Sequence, residues 1–242
     1  FIAILFLAAC GDEDTTPVVN KDTDNSAEES VESAYPKTFV DGRGKEVTFN
    51  EKPTKIVSTT LAVDEFLVDL VAPENILAVT QMSTDASISN VAGKTDAMET
   101  KFETVTAEQV LALNPDLVII PSYVSGEVLD QIESAGITTY QVVDDSSFEG
   151  ILKTVETLGQ IVGEEETAAT LVADIKKRID TLEANAEKTE TKPRVLYYTE
   201  YLSSVTDNTT IGEMINLAGG TNVIKEAGIV GDSYPDYPNV SK

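Results

Sequence analysis

Short apolar runs alternate with helical patterns through the first half of this sequence, and this alternation limits the fold more than any other feature. Strands are predicted at residues 55–58, 76–80, 117–120 and 139–143. The run at 117–120 is apolar at every position, which is typical of a parallel strand that is buried on both faces. Strands that alternate with helices predict an α/β fold with a mostly parallel sheet.

Local signals fix the ends of two further features. Residues 38–40 and 46–49 flank an Asp-Gly pair, which predicts a β-hairpin. Thr106 and Gln109 can form a capping box at the start of a helix. That helix should end at Asn114, because a residue that precedes proline avoids helical backbone.

The pattern is purely helical from residue 147. Apolar residues at spacings of three and four place residues 164–187 in one amphipathic helix, about 36 Å long at about 1.5 Å per residue. A strand is predicted over residues 194–198, followed by a helix whose capping box would pair Thr210 with Glu213. We therefore predict two α/β lobes with mostly parallel sheets, joined by a single long α-helix, and expect the second lobe to be truncated in this sequence.

The domain organisation follows from these patterns and from the composition of the first 33 residues. We assign residues 1–9 to the end of a signal peptide, 10–33 to a lipidated N-terminus and a disordered acidic tether, 34–146 to the N-terminal α/β lobe, 147–190 to a helix pair that includes the connecting helix, and 191–242 to the start of the C-terminal α/β lobe.

The start of the chain predicts export. An apolar run ends in small residues at Ala9, as at a signal-peptide cleavage site, and the residues up to Cys10 resemble the lipobox of bacterial lipoproteins. The expected location is therefore extracytoplasmic, with the protein anchored to the cell membrane only by lipid on Cys10. The alternative is the end of a transmembrane helix with an incidental cysteine, but the tether-like composition after Cys10 favours the anchor.

The composition excludes several kinds of site. The chain has no histidine and one cysteine, which excludes a Ser-His-Asp triad, a Cys-His pair, a His-rich metal site and a disulfide framework within this sequence. Its 42 acidic and 17 basic residues give a net charge of −25. This charge repels nucleic acid, although solubility outside the cell is its simpler explanation.

The order and spacing of several segments resemble a known family, although no single motif is decisive. These segments are residues 38–44, 55–58 with Glu65 after them, 108–118, 135–137, 158–159 and 217–222. Together they resemble the iron-siderophore, haem and vitamin B12 substrate-binding proteins of ABC transporters, and the similarity covers residues 36–242. The resemblance implies a monomer that captures its ligand in a cleft between lobes and delivers it to an ABC permease and its ATPase.

The resemblance also implies which residues line the cleft. A ferric siderophore carries its own oxygen ligands to iron, so the protein supplies only aromatic walls and hydrogen-bond donors, with no cofactor and no directly bound metal. The expected ligand-binding residues are Thr60, Met82, Tyr123, Tyr198, Tyr201 and Tyr237. Each tyrosine could instead be an ordinary surface or core residue.

The charged and aromatic residues narrow the ligand class. None of the three arginines, Arg43, Arg178 and Arg194, falls on an expected cleft loop, which disfavours an anionic catecholate and favours a neutral or cationic hydroxamate. Haem is the main alternative, with Met82 as an axial ligand rather than a packing residue. The absence of tryptophan gives no support to a corrinoid.

Two acidic features carry further hypotheses. By resemblance to the vitamin B12 binders, Glu108 docks the first lobe onto an arginine of the permease; alternatively, it is a first-turn acid that the helix dipole favours by about 0.3–1 kcal/mol. The adjacent carboxylates of residues 144–145 and 164–166 suggest an acid-base pair, but neighbouring side chains point in different directions. We therefore expect no enzymatic activity, and a surface-anchored hydrolase or adhesin is the alternative from another class.

Overall fold

The computed structural model describes residues 35–143 and 146–240. The strands are β1 (Lys37–Val40), β2 (Glu46–Phe49), β3 (Ile56–Ser58), β4 (Ile76–Thr80), β5 (Thr100–Phe102), β6 (Leu117–Ile120), β7 (Thr138–Gln141), β8 (Arg194–Val195) and β9 (Thr221–Asn222). The helices are α1 (Leu61–Leu70), α2 (Ala92–Thr95), α3 (Ala107–Leu113), α4 (Gly126–Ser134), α5 (Phe148–Ile161), α6 (Glu165–Ala186), α7 (Thr210–Leu217) and α8 (Val223–Glu226). Short 3₁₀ turns occupy Pro73–Asn75 and Gln81–Thr84.

A five-stranded parallel sheet forms the centre of the N-terminal part. Its strand order is β5-β4-β3-β6-β7, and every neighbouring pair is parallel. The four residues of β6 are all buried, as expected for a central strand covered on both faces. The predicted α/β class and parallel sheet are therefore confirmed.

Side chains from the sheet alternate between two apolar cores. On one face, residues such as Ile56 and Leu117 pack with α1, α5 and α6. On the other face, Val57 and Val118 pack with α3 and α4. The central strands β3 and β6 are thus buried between two helical layers, because successive side chains of a strand point to opposite faces.

The predicted hairpin forms and docks against the sheet. β1 and β2 pair antiparallel, and the turn between them lies beside the end of β7, where the Gly42 N–H donates to the Gln141 carbonyl at 2.8 Å. A Cβ at Gly42 would lie 2.4 Å from the Val142 carbonyl oxygen. Glycine is therefore required here for close backbone approach.

Helix ends follow their sequence signals in the first half. Thr106 accepts from the Gln109 N–H at 3.3 Å, and the Gln109 side chain accepts in return from the Thr106 N–H. α3 ends at Asn114, which adopts left-handed backbone with φ 48°. The predicted long helix is also confirmed, because α6 has 22 residues and so extends about 33 Å.

Two predictions in the C-terminal part are wrong in detail. The strand predicted over residues 194–198 is limited to β8, which pairs with β9 in a two-stranded parallel sheet. The N-cap of α7 is Thr209 rather than Thr210, and its hydroxyl accepts from the Gly212 N–H at 3.1 Å. Glu213 closes no capping box, because its carboxylate accepts the backbone N–H of Phe148 on α5 at 2.6 Å.

Several predictions fall outside the described residues or are untested by this fold. The signal peptide, the tether and the lipidated Cys10 lie before residue 35, and the acidic pair at 144–145 lies in the other gap. The division into two lobes with the stated boundaries stays a prediction. Among the helices that the structure describes, none has the length and apolar character needed to cross a membrane.

Candidate functional site

The strand order of the central sheet creates a crevice above two adjacent strands. The chain passes from β3 outward to β4 and β5, then crosses back to β6 and continues to β7 on the other side. β3 and β6 are neighbours, but the helix after β3 packs on one face of the sheet and the helix after β6 on the other. A crevice therefore opens between the loops that follow these two strands. Open α/β sheets bind their ligands at such a point, beyond the carboxyl ends of the strands.

A cavity of about 720 Å³ opens at this crevice. Apolar side chains form much of its wall: Val63, Phe66, Val142, Phe148, Ile151 and Met214. Hydroxyl groups are distributed among them: Thr60, Ser122, Tyr123, Ser146, Thr154 and Thr210. This volume and this mixture of apolar surface with a few polar groups are typical of small-molecule sites.

Residues from distant parts of the chain reach the cavity because three helices begin or lie beside it. α1 follows β3 directly, and its first turn supplies Val63. α5 supplies Phe148 and Ile151, which share one helix face because they are three residues apart. α7 supplies Thr210 and Met214 from more than 50 residues further along the chain.

The contact between α5 and α7 is held by polar bonds at the cavity rim. The Glu213 carboxylate accepts the N–H of Phe148, the first residue of α5, where helices favour negative charge. The Thr210 N–H donates to the Ser146 carbonyl at 2.7 Å. The Tyr237 hydroxyl lies 2.9 Å from the Ser146 hydroxyl. These bonds connect the segment that enters α5 to the C-terminal part of the chain.

Only some of the predicted ligand-binding residues lie together. Thr60 and Tyr123 both line the cavity, from the loops after β3 and β6. Tyr237 does not line it but contacts the lining residue Ser146. Met82, Tyr198 and Tyr201 are solvent-exposed and lie outside the lining.

Glu108 lies away from this cavity. It is exposed in the first turn of α3, behind the capping box of Thr106 and Gln109. This position leaves its carboxylate accessible, and it also suits the helix dipole. The location is compatible with either hypothesis for Glu108, so its docking role stays a prediction.

Electrostatically, the described lining of the cavity contains no lysine or arginine, and its one charged side chain is Glu65. The Glu65 carboxylate accepts the Asn90 backbone N–H at 2.8 Å through Oε1. Asn90 also lines the cavity. The described wall thus offers hydroxyls, apolar surface and one negative charge.

A second carboxylate is buried beside the site. Asp64, fully buried in α1, accepts both the N–H and the hydroxyl of Thr80 at the end of β4. Burial raises the pKa of Asp64, and the hydrogen bonds from Ser58 and Thr80 only partly oppose this. Since Thr80 ends β4, Asp64 holds α1 onto the end of that strand, beside the crevice.

Two of the acidic residues at 164–166 have basic partners. Glu164 pairs with Lys52, and Glu165 pairs with Lys37. Among residues 35–143 and 146–240, no group of three or more His, Cys, Asp or Glu side chains is placed to hold a metal ion.

Sequence reasoning missed most of the apolar wall. Phe148 and Ile151 lie on one face of α5, and both are only half-buried and line the cavity. Phe66 and Met214 are likewise helix residues that no loop pattern could mark. Incomplete burial distinguishes all four residues from the apolar core, and only the structure shows it.

Comparison with known proteins gives a family match over most of the chain. The periplasmic binding protein model matches residues 56–239. A cobalamin-binding protein of Halobacterium salinarum is 25% identical over 210 residues, which cover 86% of this chain and 55% of that protein. The chain thus spans about half the length of this relative.

Two further similarities support the same family. The uncharacterized ABC transporter substrate-binding lipoprotein YvrC of Bacillus subtilis is 29% identical over 234 residues, covering 91% of this chain and 69% of that protein. Among solved structures, the periplasmic heme-binding protein RhuT of Roseiflexus sp. RS-1 in apo form has a TM-score of 0.61 and 25% identity. That match covers 77% of this chain and 70% of RhuT.

Proposed function

Because this chain belongs to the periplasmic binding protein family, we propose that it is the ligand-capturing component of an ABC importer and has no enzymatic activity. Its ligand is a ferric siderophore of the hydroxamate type, which it delivers to a membrane permease driven by an ATPase. The observation that carries this proposal is the 720 Å³ cavity at the carboxyl ends of β3 and β6. Relatives named for substrate or cobalamin binding support the same role.

The composition of the wall favours a hydroxamate. Iron in such a chelate is already enclosed by oxygen atoms, so the protein needs to contact only the organic shell. Apolar residues such as Phe66 and Phe148 suit its methylene chains, and hydroxyls such as Thr60 suit its amide and hydroxamate oxygens. An anionic catecholate would meet no positive charge on the described wall.

Haem is the second candidate, and one feature supports it. Tyr123 presents an exposed phenol at the cavity, and tyrosine is a known axial ligand of haem iron. The structurally similar RhuT is named as a heme-binding protein. Met82 does not support haem, because it lies outside the cavity lining.

The proposed role includes two attachments. Lipid on Cys10 would hold the protein at the outer side of the cell membrane, with the acidic segment behind it as a tether; a single acyl chain binds only marginally, whereas two hold well. Glu108 would contact the permease from the exposed first turn of α3. The protein would act as a monomer and would not bind nucleic acid.

Tyrosine emission tests the ligand class. These 242 residues contain eight tyrosines and no tryptophan, so their emission reports on tyrosine alone. We expect saturable quenching by ferrioxamine E, a neutral hydroxamate, after correction with free N-acetyltyrosinamide for light absorbed by the chelate. Ferric enterobactin and cyanocobalamin should give no saturation. Saturation by haemin alone would identify haem as the ligand instead. If none of these four compounds saturates the protein, an iron-chelate or corrinoid ligand is rejected.

A further inference from the structure

Glu65 places a negative charge on the cavity wall, and binding of a neutral hydroxamate would not require that charge. It lies in the second turn of α1, half-buried, and it is the one charged side chain in the described lining of the cavity. Glutamate is rarely buried without a partner, because leaving water is costly for a carboxylate. A charged side chain on a largely apolar wall therefore indicates a role in ligand binding.

The carboxylate is held in place through one oxygen. Glu65 Oε1 accepts the backbone N–H of Asn90 at 2.8 Å and lies 3.4 Å from the Asn90 side-chain nitrogen. Glu65 Oε2 makes no hydrogen bond or ion pair with any residue that the structure describes. The side chain is thus fixed before a ligand arrives, and one oxygen is left to accept a further donor.

Glu65 Oε1 alone is enough to hold the loop at Asn90 against α1. A glutamine would do the same, since its side-chain oxygen can accept both Asn90 donors. The negative charge is therefore surplus to that role. Apolar side chains such as Val63 and Phe66 line the same cavity and offer this charge no partner.

The negative charge around Glu65 favours recognition of a cation. The described lining has no lysine or arginine to neutralise Glu65, and the whole chain carries a net charge of −25. Such a field raises the local concentration of cations and lowers that of anions. A ligand with a protonated amine would satisfy Glu65, whereas a carboxylate-bearing ligand would be repelled.

We propose that Glu65 Oε2 receives a charge-assisted hydrogen bond from a protonated primary amine of the ligand. This inference rests on the proposed function and deepens it: the preferred substrates are ferric hydroxamates with a free ammonium arm. The chelate core contacts the apolar wall and the hydroxyls, and the arm reaches Glu65. Specificity within the hydroxamate class then depends on this carboxylate.

Two chelates that differ only in this charge test the proposal. Ferrioxamine B ends in an ammonium group, and its N-acetyl derivative has the same iron centre and chain without the charge. The full-length protein should bind ferrioxamine B about five- to tenfold more tightly in calorimetric titrations. Glu65→Gln should remove this preference while leaving affinity for the acetylated chelate within about twofold.

A matched variant and the possible outcomes separate this proposal from the proposed function. Glu127→Gln changes the net charge equally at an exposed site outside the cavity lining, and it should keep the preference. If the protein binds both chelates equally well, or if Glu65→Gln keeps the preference, the role of Glu65 is rejected while hydroxamate binding stands. If neither chelate binds, the proposed function itself fails. Thermal unfolding of Glu65→Gln should match that of the parent protein, as expected if the loop at Asn90 stays bonded to α1.

Discussion

Tyr123 combines a cavity position with high exposure. It lines the site, yet 77% of its surface is accessible to solvent. An exposed ring contributes little to folding, so its removal should change binding without changing stability. We expect Tyr123→Ala to lower the affinity for a ferric hydroxamate about two- to twelvefold, because an aromatic contact contributes about 0.5–1.5 kcal/mol beyond buried area.

Tyr201→Ala is the matched control in the same titration. Tyr201 is 78% exposed but lies outside the cavity lining. It should leave affinity unchanged, although sequence reasoning included both residues in the site. A loss of affinity in Tyr201→Ala and not in Tyr123→Ala would place the ligand elsewhere.

The ion pairs of Glu133 predict how the stability of the folded protein changes at acidic pH. It pairs with Arg43 at 2.9 Å and Lys45 at 2.8 Å, which attaches α4 to the hairpin turn. Partial burial raises its pKa, but hydrogen bonds from Lys45, Thr139 and Arg43 outweigh this and lower the pKa of Glu133 to about 2. Because the folded pKa is depressed, the contribution to stability is complete above the unfolded pKa of about 4.3 and is lost as the pH falls toward 2.

Denaturant unfolding at several pH values tests this dependence. Glu133→Gln should lower the free energy of unfolding by about 1–2 kcal/mol at pH 7, after allowance for solvent screening of this partly exposed group. The difference from the parent protein should shrink between pH 4.5 and pH 2. A constant difference across this range would show that Glu133 acts by packing rather than by charge. Glu127→Gln, on the same helix and exposed, should give no such trend.

At the scale of elements, the crossing of α5 and α6 depends on one glycine. A Cβ at Gly159 would lie 2.2 Å from the Cβ of the buried Ala168. The two helices are also joined by a tight connection, in which the Glu164 N–H donates to the Gly159 carbonyl at 2.8 Å. α6 therefore cannot move aside freely at this point.

Gly159→Ala should consequently destabilise the protein despite the better helix propensity of alanine. We expect a loss of about 1–3 kcal/mol in the free energy of unfolding, the usual cost of overpacking. Gly126→Ala in α4 is the control, because a Cβ there meets nothing within 4 Å. Equal stability of the two variants in urea unfolding would contradict the close crossing.

Elements were predictable where local signals agree with tertiary contacts. The capping box at Thr106 and the periodicity of α6 fix those helices from sequence, and both are present. The three-residue β5 was not predicted, and the strand predicted over residues 194–198 forms only at the two residues of β8. At α7 two threonines compete as caps, and Thr209 prevails while Glu213 bonds to Phe148 on another helix. No local pattern contains that contact.

At the scale of the whole molecule, the fold class was predictable and the site only partly so. Alternating strands and helices suffice for a parallel sheet, and the position of the crevice follows from strand order. Thr60 and Tyr123 were predicted from the loops that follow strands and do line the cavity, while their contact with a ligand stays a prediction. Phe66, Phe148 and Met214 come together from helices nearly 150 residues apart, which depends on three-dimensional packing.

Anomalous scattering from iron can show whether the cavity above β3 and β6 holds an iron chelate. The full-length protein would be crystallised with ferrioxamine E, and data would be collected on both sides of the iron absorption edge. We predict one iron peak inside the cavity, bordered by Thr60, Tyr123 and Phe148. An ordered iron peak elsewhere on the protein, with this cavity free of chelate, would show that the ligand binds at another site.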